Sequence, residues 1–480
     1  MDCALFTDFY SLTMAQGYWK HNKNCQAVFE MFFRRQPFGG GYTVFAGLGT
    51  LLEKLSVFSF ADDDLAYLAG LGLFEDAFIA YLKDFRFSGS LWAVDEGTTV
   101  FPQEPLIRTE GSLIECQIIE GMLLNIINFQ SLIATKTRRI CLAAREKPVI
   151  EFGLRRAQGP DGSMSASRAA FIGGVVGTSN TLAGKVFGMP VLGTMAHSWV
   201  MSFPGESQAF DAYAAQYPEK TVFIIDTYDT LKSGIGNAIT AGKKLKAQGK
   251  TFGVRLDSGD IHYLSTEVRK KLDEAGCNDA KITVSNDLDE SIIETLVNSG
   301  APVDVWGVGT QLVTGGSDSA FTGVYKMAAC QDAQGRMTAV MKFSDNPEKT
   351  TNPGIKQVWR LKDAKGYALA DILSLENSGE TFEPGSRQKF WHPSADYRHF
   401  FHYIEAPPQM LLKQRLDNGV LCFPQPSLAE VRAHSTADLA AFDSTHKRLL
   451  NPHVYKVSVT GKLRDLKLEL IQGMGSDCRF

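Results

Sequence analysis

Between Glu151 and Phe203 the chain gathers His197, the adjacent pair Arg155 and Arg156, and the hydroxyl-rich run Thr178-Ser179-Asn180-Thr181. Histidine supplies a base or nucleophile at neutral pH, arginine binds anions through paired donors, and small residues leave backbone N–H groups free to meet a phosphate. Each cluster follows a short apolar run that reads as a strand. Further polar groups follow four later runs: Asp226, Thr227 and Asp229; Arg255, Asp257, Ser258 and Asp260; Ser285, Asn286, Asp287 and Asp289; then Gly307-Val308-Gly309-Thr310. Strand ends of α/β barrels are where such folds place their chemistry.

Each cluster has a plainer reading. Asp, Asn, Ser and Gly favour turns, so any one of these loops alone reads as turn chemistry. Gly307–Thr310 suits a phosphate after a late barrel strand, or is simply a tight turn. Arg255-x-Asp257-Ser258-Gly259-Asp260 is a structural ion pair capping a helix, or an arginine for an anionic substrate beside carboxylates that accept ribose hydroxyls or hold Mg²⁺. His197 is an ordinary satisfied histidine, or a base or nucleophile whose tautomer Asp226 fixes. There is no GxSxG, HExxH or GxxxxGKS, so serine hydrolase, zinc protease and P-loop readings fall away.

The elements that must position these residues form a rhythm over 149–343. Apolar runs recur at Val149–Phe152, Ile172–Val176, Pro190–Gly193, Thr221–Ile225, Thr251–Val254, Lys281–Val284 and Val303–Trp306, with helical patterns in most of the gaps. Alternating strand and helix predicts parallel strands joined by crossovers. The expected fold is α/β: an irregular, TIM-like (β/α) barrel of seven to eight strands. It is short against the usual ~250 residues, with Ala320–Ala329 and Met337–Phe343 as candidates to close it. An α/β N-terminal domain over 1–148 would be completed by a C-terminal region over 344–480, which carries a predicted hairpin around Ala364–Gly366 and no catalytic signature.

The chain has 480 residues, 44% of them hydrophobic and 21% charged, as in a soluble globular protein of more than one domain. A net charge of −4 without a basic tail argues against nucleic acid as partner. No apolar run is long enough to span a bilayer, and the N-terminus reads as neither signal nor transit peptide, so a cytoplasmic location is expected. The eight cysteines form no CxxC pair and no zinc spacing, and read as structural thiols of a reducing compartment.

Taken together, Thr7–Trp19, Val28–Arg34, Glu151–Gly162, Gly177–Gly184, Gly193–Phe203, Ile225–Gly234, Val254–Asp260 and Asp304–Thr310 resemble the nicotinate phosphoribosyltransferase family, and Asn451-Pro452-His453-x-Tyr455 is also similar. The resemblance implies transfer of phosphoribose from 5-phosphoribosyl 1-diphosphate to nicotinate. ATP hydrolysis would be coupled through phosphorylated His197, and Mg²⁺ or Mn²⁺ would be held mainly by substrate phosphates. It implies a homodimer with shared sites, in which Tyr10 of the neighbouring subunit and Phe152 sandwich the pyridine ring. Thr194 and Arg255 would contact nicotinate, while Arg155, Asp257, Gly309 and Thr310 would hold the phosphoribosyl group. The related nicotinamide enzymes carry an aspartate where this chain has Asn180; Ser179 and Asn180 can donate to a carboxylate, which favours nicotinate. Quinolinate would call for more basic residues. A barrel aldolase or isomerase would need a lysine or glutamate at the strand ends, and a non-catalytic phosphoribosyl-binding protein would not need the histidine.

Overall fold

Six parallel strands form the sheet on which the strand-end clusters sit. They are seen in a computed structural model that describes residues 4–477 except 146, 345, 347, 348 and 396, with no side chains beyond 473. Their order is Gly177–Thr178, Val149–Glu151, Val305–Val308, Lys281–Val284, Gly253–Leu256, Val222–Ile224. Every neighbouring pair is parallel. Val191 adds a single parallel bridge beside Thr178. The strands are short and their central residues (Val254, Leu256, Ile282, Val284, Val308) are buried, as expected where helices cover a sheet.

The crossovers are the helices Gly159–Gly173, Thr181–Phe187, Glu206–Gln216, Ile235–Ala247, Ile261–Glu274 and Glu290–Asn298. Several of the acidic strand-end residues start these helices. Asp260 accepts from the Tyr263 N–H at 2.9 Å and Asp289 from the Ile292 N–H at 2.8 Å, both as N-caps. Asp229 caps the turn Thr230–Gly234 in the same way.

Two expected strands are different. Ile172 belongs to the last turn of helix Gly159–Gly173, whose buried face includes Ala166, Ala169, Ala170 and Ile172. Gly174, at φ 124°, ends that helix, and the strand begins three residues later at Gly177. Pro190–Gly193 contributes only the Val191 bridge. Neither candidate for closing a barrel joins this sheet. Gly323–Gln331 pairs antiparallel with Gln26–Phe33, and Met337–Ala339 pairs with Gly323–Gln331. A nine-residue strand with a long antiparallel register finds its ladder there, not at a parallel edge.

Contacts divide the chain into two units, Ile133–Ser319 and Met1–Leu132 together with Ala320–Phe480, rather than at the expected 148/149 and 343/344. The parallel sheet is the first unit. The second holds a seven-stranded sheet in which Lys413–Asp417 pairs with Ser90–Ala93, so N- and C-terminal segments share one ladder. It also holds a six-stranded sheet built from C-terminal strands alone, including the expected hairpin Lys356–Lys362 with Ala368–Leu375. After the strand Thr43–Val44 come the helices Asp62–Gly70 and Asp76–Lys83, with Gly72 turning between them at φ 66°.

Candidate active site

Arg255, one residue before the end of its strand, ties four loops together. Its Nε donates to Ser285 Oγ at 2.8 Å, one terminal nitrogen to Thr194 Oγ1 at 2.9 Å and the other to Asp257 Oδ1 at 2.9 Å. The guanidinium lies 5.4 Å from the centroid of the Phe152 ring, over that ring. Three of its five N–H donors are used, leaving two for an anion. The Phe152 ring reaches across the sheet because Gly307 has no side chain; a Cβ there would sit 2.6 Å from the ring.

Asp257 has one oxygen on Ser285 and Arg255, and its other oxygen is 3.8 Å from His197 Nε2. Burial alone would raise its pKa. The Ser285 hydrogen bond, Arg255 and the His197 charge overcome that and hold it below the ordinary carboxylate value, so it is an anion throughout the neutral range. Asp226 is almost wholly buried. Its Oδ2 accepts from the Asp257 N–H at 2.8 Å and from Ser258 Oγ at 2.6 Å. Its Oδ1 is buried without a hydrogen bond, 3.9 Å from His197 Nε2.

His197 opens the short helix His197–Met201 with its side chain 40% exposed. Sequence reasoning assigned its orientation to Asp226. The hydrogen bond that orients the ring is instead to Thr227 Oγ1, 3.1 Å from Nδ1. Asp226 and Asp257 flank the other nitrogen at a distance too long for a direct hydrogen bond. Thr227 was legible as a strand-end hydroxyl, but nothing in the spacing told it from its acidic neighbour.

Asn180 does not present its amide to this cluster. It is 2% exposed; its Oδ1 accepts from the Ala183 N–H at 3.2 Å as the N-cap of helix Thr181–Phe187, and its Nδ2 donates to Ser167 Oγ at 3.3 Å. Ser179 beside it is half-buried, with its N–H on the Glu151 carbonyl at 2.9 Å. Arg155 is exposed, on the turn Leu154–Arg156 that follows Phe152. Gly309 approaches closely enough that a Cβ would meet the Phe152 carbonyl oxygen at 3.2 Å, and Thr310 begins the helix Thr310–Thr314. Tyr10 belongs to the other unit, on helix Phe9–Lys20, and is 47% exposed.

Glu151 is the residue that sequence reasoning missed. Fully buried, it accepts from the Gly153 N–H, from Thr178 Oγ1 and from Ser167 Oγ, which fixes the turn carrying Phe152 and Arg155. Its signal was its place inside a strand of apolar neighbours, where a carboxylate is kept only with donors around it.

Three family models cover most of the chain: the nicotinate phosphoribosyltransferase N-terminal domain over 5–128, the nicotinate phosphoribosyltransferase family over 148–385 and the C-terminal domain over 355–467. A nicotinate phosphoribosyltransferase of Bacillus subtilis is 41% identical across 98% of this chain and 96% of its own length. The chain belongs to the nicotinate phosphoribosyltransferase family. The Homo sapiens member is 35% identical across 98% of this chain and 97% of its own. The crystal structure of human nicotinic acid phosphoribosyltransferase superposes with a TM-score of 0.85 at 32% identity, covering 97% of this chain and 99% of that one. All the strand-end residues described above, Phe152 to Thr310, fall inside the match to the family model over 148–385.

Proposed function

We propose that this chain transfers phosphoribose from 5-phosphoribosyl 1-diphosphate to nicotinate, releasing diphosphate, and that it couples the transfer to ATP hydrolysis through His197. Family membership supports the reaction. The observation that carries the assignment of roles is the Arg255 hub: a guanidinium beside an aromatic ring, with two donors unspent, at the centre of four strand ends.

Nicotinate is a flat ring with a carboxylate. Phe152 offers one face for the ring, and Arg255, held in place by Thr194, offers donors for the carboxylate. Such donors favour a carboxylate over a carboxamide. Gly309 and Thr310, with Arg155, suit the phosphoribosyl phosphate, and Asp257, held ionised, suits ribose hydroxyls or developing positive charge at the anomeric carbon. Mg²⁺ or Mn²⁺ fits the site, because Asp226 Oδ1 is a buried carboxylate oxygen without a partner and Asp257 Oδ2 is close to the same histidine nitrogen; bound largely by substrate phosphates, it would neutralise charge on the leaving diphosphate.

The coupling step uses the tautomer in which Nδ1–H donates to Thr227 Oγ1, 3.1 Å away, because that tautomer leaves the Nε2 lone pair free. Nε2 attacks the γ-phosphorus of ATP; the P–N bond forms as the P–O bond to ADP breaks. Water later hydrolyses the phosphohistidine to phosphate and restores the imidazole. The phosphorylated ring carries a dianion into the strand-end cluster, where it changes the field felt by the phosphoribosyl substrate.

The parallel sheet is proposed to curl into an irregular barrel. The loop after Val191 and the loop after Val222–Ile224 lie beyond opposite edges of the ladder, yet His197 and Thr227, one from each, are hydrogen-bonded. A homodimer with shared sites is proposed from Tyr10. Phe6, Phe9, Tyr10 and Met14 are all exposed around one helix, an apolar strip suited to a second copy. Mixing inactive Tyr10→Ala subunits with inactive Arg255→Ala subunits is expected to restore activity in hybrids up to about a quarter of wild type, the share of sites that random pairing leaves intact. No recovery after demonstrated subunit exchange would remove the shared site.

Asn180→Asp provides a test of specificity that separates packing from recognition. The new carboxylate would sit against Ser167, which already donates to buried Glu151. The expected result is a loss of roughly 1–3 kcal/mol of stability, read as a lower Tm, with the preference for nicotinate over nicotinamide largely kept. A switch toward nicotinamide at unchanged Tm would place Asn180 in recognition after all.

A further inference from the structure

A cavity of about 950 Å³ lies in the unit that contains the N- and C-terminal segments and shares no residue with the strand-end site. Its lining has Arg34, Arg398, Arg448 and Lys456 and no carboxylate. That is unusual in a chain with 53 acidic and 49 basic residues. Three separate segments bring the cations together. Arg34 follows the strand Gln26–Phe33; Arg398 lies between the paired strands Arg387–Trp391 and His399–Tyr403; Arg448 and Lys456 flank Asn451-Pro452-His453, a family-like motif outside the strand-end site.

These cations are not spent on neighbours. None of the four has a carboxylate partner among the described residues, and Arg34 Nε is buried without a hydrogen bond. Arg448 uses only Nε, on the Thr445 carbonyl at 3.3 Å, and Lys456 lies over the Phe400 ring at 5.2 Å. His392 adds a neutral donor: its Nδ1 accepts from the Ser394 and Ala395 N–H groups at 3.1 Å, so its proton is on Nε2. Burial first, then the charges of Arg398 and Lys467, lower its pKa, a mark of the positive field there. Like charges gathered without counter-ions repel one another, and a half-buried guanidinium with an unmet N–H is costly; a multivalent anion relieves both.

We infer that this groove is a binding site for a polyphosphate anion, either free diphosphate or the phosphate tail of a nucleotide, held by Arg34, Arg398, Arg448 and Lys456. Its volume is ample for either. Arginine forks and a lysine point charge are the side chains that recognise such groups.

The test is calorimetric titration of inorganic diphosphate, and separately of ATP, into the full-length protein, its Arg398→Ala/Arg448→Ala variant and Arg255→Ala. Arg398 and Arg448 are exposed, so the double variant should keep the wild-type Tm. The wild type is expected to show diphosphate binding that survives Arg255→Ala and that weakens at least about tenfold for each groove guanidinium removed. Arg398→Lys should lose less than Arg398→Glu. Tighter binding of ATP than of diphosphate at this site assigns a nucleotide; equal or weaker binding assigns the phosphates alone. Diphosphate and ATP isotherms unchanged in the double variant, or binding that vanishes entirely in Arg255→Ala, would overturn the inference. Nicotinate turnover does not enter this readout, so it stands or falls separately from the catalytic reading.

Discussion

Arg255→Ala is expected to lower kcat/KM for nicotinate by about a thousandfold or more. Two free N–H donors aimed at a carboxylate contribute roughly 1.5–3 kcal/mol each when the acceptor is charged. The same substitution removes one of the two partners of Asp257 Oδ1 and releases Thr194 and Ser285 from the guanidinium, so the loss falls on several strand ends together. Arg255→Lys should recover little, because one ammonium cannot span Ser285, Thr194 and Asp257 at once. Steady-state kinetics with varied nicotinate check this, and a fall of less than about tenfold would move the nicotinate carboxylate elsewhere.

His197→Ala is expected to abolish the stimulation of transfer by ATP while leaving a slow, ATP-independent reaction. The reason lies in the connectivity. His197 hydrogen-bonds to Thr227 and not to Arg255, Thr194 or Ser285, so the anion-binding hub survives its removal. Acid-labile ³²P from γ-labelled ATP should appear in the wild type and be absent from His197→Ala. Full label in that variant would identify another acceptor, and unchanged stimulation would take His197 out of the coupling. Thr227→Val should fall between the two, since the ring remains but loses the hydrogen bond that fixes its tautomer.

The sequence and the structure agree where one physical signal dominates. Lys281–Val284 is a strand in both, because an apolar run bounded by polar turns has no competing reading. Ile172–Val176 read as a strand from its apolar run alone, yet Ile172 lies in the last turn of a helix and the strand begins at Gly177. Gly174 at positive φ ends the helix there, and that is a backbone property no pattern records. The strand-end acids were equally ambiguous. Asp257 and Asp260 lie three residues apart in one loop, yet one contacts the Arg255 hub and the other caps a helix. Ala320–Ala329 looked like a barrel strand because burial and alternation say nothing about which ladder a strand joins. Asn180 and Thr227 exchanged importance for a similar reason: residue type predicts what a side chain can donate or accept, while its direction is set by the turn that carries it.

The most direct measurement of the central assignment is turnover of ring-labelled nicotinate with 5-phosphoribosyl 1-diphosphate and Mg²⁺, with and without ATP. The account predicts label in nicotinate mononucleotide, one diphosphate released for each nucleotide formed, a faster reaction with ATP, and little conversion of nicotinamide under the same conditions. Absence of the mononucleotide, or equal use of nicotinamide, would contradict it.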